Sequence, residues 1–217
     1  MLKKYEGILG NFQYDDTEFQ LKSNSYLRYI GTETDGSKIK IPAGVTNCSY
    51  MFQDCSSLLK APEIPTGVTN CFAMFYGCRS LIEASEIPTE VKSCGYMFKG
   101  CSSLIKAPEI PKGVTHCAGM FCGCSSLVEA PKIPAGVTDC ISMFLGCSSL
   151  VEAPEVPAGV TDGNWMFSDC KSLQNYSLDN ITYRKEIYRR CPLIIQETDS
   201  FVQKFKERSQ LNGQKIL

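Results

Sequence analysis

Apolar positions along this chain recur with a long, fixed period. Met-Phe pairs stand at Met51-Phe52, Met74-Phe75, Met97-Phe98, Met120-Phe121, Met143-Phe144 and Met166-Phe167, each 23 residues after the last. Around them, six copies align without insertion from Ile41 to Ser177. The first reads IPAGVTNCSYMFQDCSSLLKAPE, and the last, a decayed copy, reads VPAGVTDGNWMFSDCKSLQNYS. A repeat of this length is too short for two packed helices and suits one coil of a solenoid. With Ile41 as position 1, Ser-Leu-(Leu/Ile/Val)-x-Ala-Pro predicts a short extended piece ended by proline. Gly-Val-Thr-x-Cys predicts a second extended piece, and x-x-Met-Phe-x-Gly-Cys a single helical or 3₁₀ turn closed by glycine.

The predicted fold class is α/β, a solenoid of six 23-residue coils made of short parallel strands and short helical turns. One coil leaves an apolar flank uncovered. Neighbours stacked ~4.8 Å apart bury it, so six coils span roughly 30 Å. Three columns keep their character through the copies and predict the core. They are Val45, Val68, Val91, Val114, Val137 and Val160, then the Met-Phe pairs, then Leu58, Leu81, Leu104, Leu127, Leu150 and Leu173.

Both ends of such a stack need covering. Residues 1–40 alternate in Phe19-Gln20-Leu21-Lys22 and Tyr26-Leu27-Arg28-Tyr29-Ile30, with a turn at Thr34-Asp35-Gly36, and predict a small β cap. Residues 41–177 are the solenoid. Residues 178–217 predict a helical cap, with one helix from Thr182 to Arg190 stopped by Cys191-Pro192. A second is capped by Ser200 and carries Phe201, Phe205 and Leu211.

With these motifs in place, the pattern Ile-Pro-x-x-Val-Thr-x-x-x-x-Met-Phe-x-x-Cys-x-Ser-Leu resembles the BspA-type leucine-rich repeats of bacterial surface proteins. The resemblance spans residues 41–177, and the lead-in LRYIGTETDGSKIKIP is similar to segments that precede such arrays. It implies a leucine-rich-repeat solenoid with a role in binding proteins or host surfaces.

Composition narrows the function. Hydrophobic residues are 43% and charged residues 21%, the profile of a folded chain with a core. Net charge is −1, with a mildly acidic middle and a mildly basic tail, so no basic field marks a nucleic-acid surface. The first residues hold no apolar run of a secretory signal, and no stretch reaches the ~20 apolar residues of a membrane span. The expected location is the cytoplasm, or the cell surface if a signal segment has been trimmed.

Eleven of the thirteen cysteines form two columns. Cys48, Cys71, Cys94, Cys117 and Cys140 stand at position 8. Cys55, Cys78, Cys101, Cys124, Cys147 and Cys170 stand at position 15. They read as small buried apolar residues whose thiols bond backbone groups weakly. Metal ligation would need four converging ligands, and Cys-x6-Cys spacing with His116 as sole histidine does not supply them. Disulfides between stacked cysteines lie within bridging range and stay as an alternative. Cys122 and Cys191 fall outside both columns, and Cys122, at a variable position, is the expected exposed, reactive thiol.

Positions 9, 10 and 13 vary most between copies, as expected of columns free of packing demands. They carry large apolar residues in two groups, Tyr50, Phe72, Tyr76 and Tyr96, then Ile141, Leu145 and Trp165. Exposed aromatic clusters mark interaction sites, so these seven are the partner-binding candidates. The competing reading has them filling gaps against neighbouring coils. Position 23 adds a secondary acidic row, Glu63, Glu86, Glu109 and Glu155, broken by Lys132. It either keeps the solenoid soluble or forms a footprint for a basic partner.

No phosphate loop, dinucleotide fingerprint, nucleophile elbow or zinc-protease motif is present, and a periodic stack leaves little room for a deep pocket. The expectation is a protein with no catalytic residues, no cofactor and no metal. It binds a protein partner, not nucleic acid or the membrane interior, and is a monomer rather than an oligomer. Its function would be that of a protein-binding module: an intracellular effector or inhibitor, including one of phage origin. Alternatives are a cell-surface adhesin module and a structural subunit of an assembly.

Overall fold

A computed structural model describes residues 1–22, 26–174 and 187–193. The 23-residue coils stack in register, joined by isolated parallel bridges in two ladders. One runs through position 20, from Lys60 to Glu83, Lys106, Glu129 and Glu152. The other runs through position 7, from Asn47 to Asn70, Ser93, His116, Asp139 and Asp162. The predicted extended pieces are therefore present, but each contributes one bridging residue per coil rather than a full strand. Proline at position 2 and, in four coils, at position 22 removes ladder donors in the link between these short pieces.

The Met-Phe segment is not a helical turn. The N–H groups of Cys71, Ala73, Phe75 and Gly77 donate to carbonyls of the next coil, at Ser93, Gly95, Met97 and Lys99 (2.8–3.0 Å). Those of Met74, Tyr76 and Cys78 donate three residues back, to Cys71, Ala73 and Phe75 (3.1–3.2 Å). Helical geometry would turn every donor inward along its own segment. Here alternate donors face the neighbouring coil, giving overlapping reverse turns cross-linked along the stack. The alternation needs left-handed backbone at position 10 (Tyr50, Ala73, Tyr96, Gly119, Ser142, Trp165) and at position 14. Glycine fills position 14 in four coils, and Asp54 and Asp169 fill it in the others.

The predicted core columns are buried throughout. The phenylalanines form one continuous stack, Phe52 to Phe75, Phe98, Phe121, Phe144 and Phe167, with ring centroids 5.4–5.7 Å apart. From Cys78 to Cys170 the position-15 Sγ–H donates to the Phe carbonyl one coil earlier at 3.0–3.1 Å.

The N-terminal cap is built of two antiparallel hairpins. β1 (Leu2–Gly7) pairs with β2 (Gly10–Asp15), and β3 (Phe19–Lys22) with β4 (Tyr26–Tyr29). Only the second follows residue by residue from the alternation in the sequence. The cap joins the first coil through a Gly10–Val45 bridge and through Tyr29 N–H to Met51 O (2.7 Å). Phe19 and Tyr29 cover the open face of Phe52, at 6.4 and 5.2 Å. Gly10, at φ +113°, lies so close to the Gly44 carbonyl that a Cβ there would collide with it. Asp35 caps a 3₁₀ helix at Gly36–Lys38 and pairs with Lys60, starting the position-20 ladder in the cap.

The other end differs from the predicted helical cap. Ile187–Arg190 is a turn, and it is a seventh copy of the Met-Phe segment. Phe167 and Asp169 donate to the Ile187 and Arg189 carbonyls (2.9 and 2.7 Å), and the Tyr188 ring stacks on Phe167 at 5.6 Å. Arg190 takes the left-handed φ of position 14. Cys191 donates to Phe167 O at 2.9 Å, so it belongs to the position-15 column rather than outside it. The unfinished face of Phe167 selects this conformation; Ile, Tyr and Arg in place of Met, Phe and Gly hide it from the repeat pattern. The rest of the predicted first helix, and all of the second, lie outside the described residues.

Candidate interaction surface

The seven partner-binding candidates all sit on the reverse-turn face, where positions 9, 10 and 13 surround the buried Met-Phe pair. Six of them are half-buried and Trp165 is exposed. Positions 9 and 10 are not free of packing demands. Tyr50, Phe72 and Tyr96 form a ladder that begins in the cap at Tyr26, with centroids 5.5–5.6 Å apart and rings tilted by 53–80°. Each large ring leans over a small residue of the next coil. A Cβ on Gly95 would lie 3.2 Å from the Phe72 ring, and one on Gly119 would run into Tyr96. The variability therefore records size complementarity between neighbours, and the gap-filling reading accounts for part of it. The outer faces of these rings still line the surface.

Tyr76 joins the group through a lysine that the pattern of apolar residues could not flag. Lys99 Nζ stands 5.6 Å from the Tyr76 centroid and 5.2 Å from that of Tyr96, a cation held between two rings. Farther along, Leu145 and Trp165 line a shallow cavity of about 350 Å³ with Ser168, Asp169, Arg189 and Arg190. Arg190 pairs with Asp169 at 3.6 Å. The two arginines enter this site because the seventh turn stacks there. Ile141 is not among the lining residues; its N–H bonds the Asp139 side chain at 3.0 Å. The structure thus unites Tyr50, Phe72, Tyr76 and Tyr96 in one patch and brings Leu145 and Trp165 together in another.

On the far side of the coil, Glu63, Glu86, Glu109 and Glu155 are all exposed, as is Lys132. Beside them, position 20 alternates in sign from Lys60 through Glu83 and Lys106 to Glu129 and ends on Glu152, with Lys60 and Glu83 paired at 3.1 Å.

The thiols are poorly suited to nucleophilic chemistry. Burial pushes Cys48, Cys101 and Cys117 up to about 12, and the half-exposed Cys55 to about 11. Cys122 is half-buried rather than exposed, and burial raises its thiol against the opposing pull of Lys99, so it lacks the lowered pKa of a reactive cysteine. His116 is exposed, its Nδ1 2.8 Å from the Thr115 hydroxyl. Among the described residues, no three His, Cys, Asp or Glu side chains converge as metal ligands. None of these residues forms a helix long and apolar enough to cross a membrane.

Comparison with known proteins agrees with this architecture. A leucine-rich-repeat protein of T. pallidum, known from a crystal structure, is 22% identical with a TM-score of 0.59, over 79% of this chain and 82% of that one. A leucine-rich-repeat protein from Bacteroides ovatus is 24% identical with a TM-score of 0.64, over 87% of this chain; the match spans about half, 52%, of that longer protein. At these identities the likeness concerns the fold. No curated protein sequence matches the chain. The profile of the BspA-type leucine-rich-repeat region matches in six copies over residues 29–151 and 105–209, and the chain belongs to that family.

Proposed function

We propose that this protein is a non-catalytic binding module that holds a protein partner on its reverse-turn face, as an intracellular effector or inhibitor. The observation that carries the proposal is the half-buried ladder of Tyr50, Phe72 and Tyr96, extended by Tyr76 through Lys99. Rigid aromatic surface with a cation set into it supplies contact area at little entropic cost, the property of interface hot spots. The rings are already held by the next coil, so little ordering cost falls due on binding. A reducing location is supported by the thiol columns, whose S–H groups serve as hydrogen-bond donors and would be lost on oxidation.

The test is capture from host lysate with the intact chain and with a Tyr76→Ala, Leu145→Ala variant shown to be folded by circular dichroism. A specific intracellular protein retained by the native chain and lost with the variant is the expected result. Equal retention by the variant would remove the turn face from the proposal. Binding confined to extracellular or host-surface material would favour an adhesin module.

A further inference from the structure

The position-19 column is apolar and yet faces outward. Leu59, Ile82, Ile105 and Val128 are 46%, 43%, 55% and 43% exposed, stacked in successive coils beside the ladder at position 20. The stripe is bounded: Thr34 precedes Leu59 in the stack, Val151 after Val128 is half-buried, and Gln174 follows. Four consecutive aliphatic side chains on one face are more than isolated surface residues require.

The flanking charges identify what covers it. In the same four coils, position 20 reads Lys60, Glu83, Lys106, Glu129, all exposed. A uniformly basic or acidic partner would meet a like charge at every second coil. A second copy lying antiparallel meets none at position 20 of these four coils. Consider a two-fold axis in the plane of the stripe, passing between the second and third coils. It sets Lys60 opposite Glu129 of the other copy and Glu83 opposite Lys106, each pair occurring twice. It also sets Leu59 against Val128 and Ile82 against Ile105, so all four aliphatics are covered by aliphatics. Sliding by one coil in either direction places Glu83 against Glu129 or Lys60 against Lys106, so the charges also fix the register. Asp35 and Glu152 then face each other beyond the aliphatic run, where solvent screens them. On the flank, Glu63 meets Lys132 and Glu86 meets Glu109.

We infer that this face is an isologous interface through which two copies of the chain form an antiparallel dimer. It departs from the monomer expected of the sequence and is independent of the partner surface on the turns. Four coils at strand spacing cover only ~15–20 Å of length, small beside the roughly 800 Å² per partner of a standard interface. The dimer is therefore weak and concentration-dependent.

Sedimentation velocity across about 1 to 500 μM, bracketing micromolar association, tests this with charge exchange. The native chain should shift from monomer to dimer over that range. Glu83→Lys alone and Lys106→Glu alone should each weaken association about tenfold or more, because each places like charges at two symmetric points. An equimolar mixture of the two variants should regain the dimer as a heterodimer, since the lysine introduced in one copy then meets the glutamate introduced in the other. Ile82→Asp with Ile105→Asp should abolish association while circular dichroism stays native. A native chain monomeric throughout, single variants that dimerise unchanged, or a mixture with no heterodimer would each overturn the inference.

Discussion

Position 22 of the coil is proline in four copies, Pro62, Pro108, Pro131 and Pro154, and serine in two, Ser85 and, in the decayed last copy, Ser177. The Ser85 hydroxyl is buried and has no hydrogen-bond partner. Ser85→Pro should therefore stabilise the protein. An orphaned buried hydroxyl costs about 1–3 kcal/mol, and a proline at a compatible backbone position adds ~0.4–1 kcal/mol by restricting the unfolded chain. Compatibility follows from the stack: the equivalent prolines have no N–H, so the ladder does not draw on that donor, and alanine precedes position 22 in the first five coils. Together these give about 1–4 kcal/mol, which for a chain of this size raises Tm by roughly 2–16 °C. Urea unfolding should show a higher midpoint at unchanged slope. Pro108→Ser, the reverse exchange one coil later, should lose a similar amount. A Ser85→Pro protein no more stable than the native one, or a neutral Pro108→Ser, would refute the equivalence of the coils at this position.

Leu104 is fully buried between Leu81 and Leu127. Leu104→Ala should cost about 2–5 kcal/mol through lost burial and the cavity left behind, read as a lower urea midpoint. The buried thiols set an alkaline limit. Cys48, Cys101 and Cys117 are held up to about 12 by burial, whereas a thiol in the unfolded chain ionises near ~8.5. The unfolded state thus releases its protons first. Stability is full below about pH 8 and falls as pH rises from about 8.5 toward 12, by up to about 1.4 kcal/mol per pH unit for each such thiol. A urea midpoint that stays flat between pH 8 and 10 would contradict this.

The coil length, the register and the inward columns were legible from residue order alone. The reason is that 23-residue translation makes every coil meet its own pattern, and residues that face the axis must all satisfy the same cross-section. Val45, Phe52 and Leu58 and their copies could be assigned to the core without coordinates. The β3–β4 hairpin was legible because its residues alternate, whereas β1, with the pattern Leu-Lys-Lys-Tyr-Glu-Gly, is nearly all exposed and offers no such alternation.

What depended on tertiary structure were relations between coils. Repeat variation marked positions 9 and 10 as unconstrained, but whether Phe72 tolerates Gly95 beneath it is decided 23 residues away. Tyr188 reads as part of a helix in its own segment and becomes a seventh ring only because Phe167 presents a bare face. Leu58 and Leu59 are identical letters side by side; Leu58 was legible as core from its column, but that Leu59 stands exposed is decided by the stack, which covers one and not the other. Hydrophobicity states what a residue prefers. The neighbouring coil decides whether that preference is met inside the stack or left on its surface.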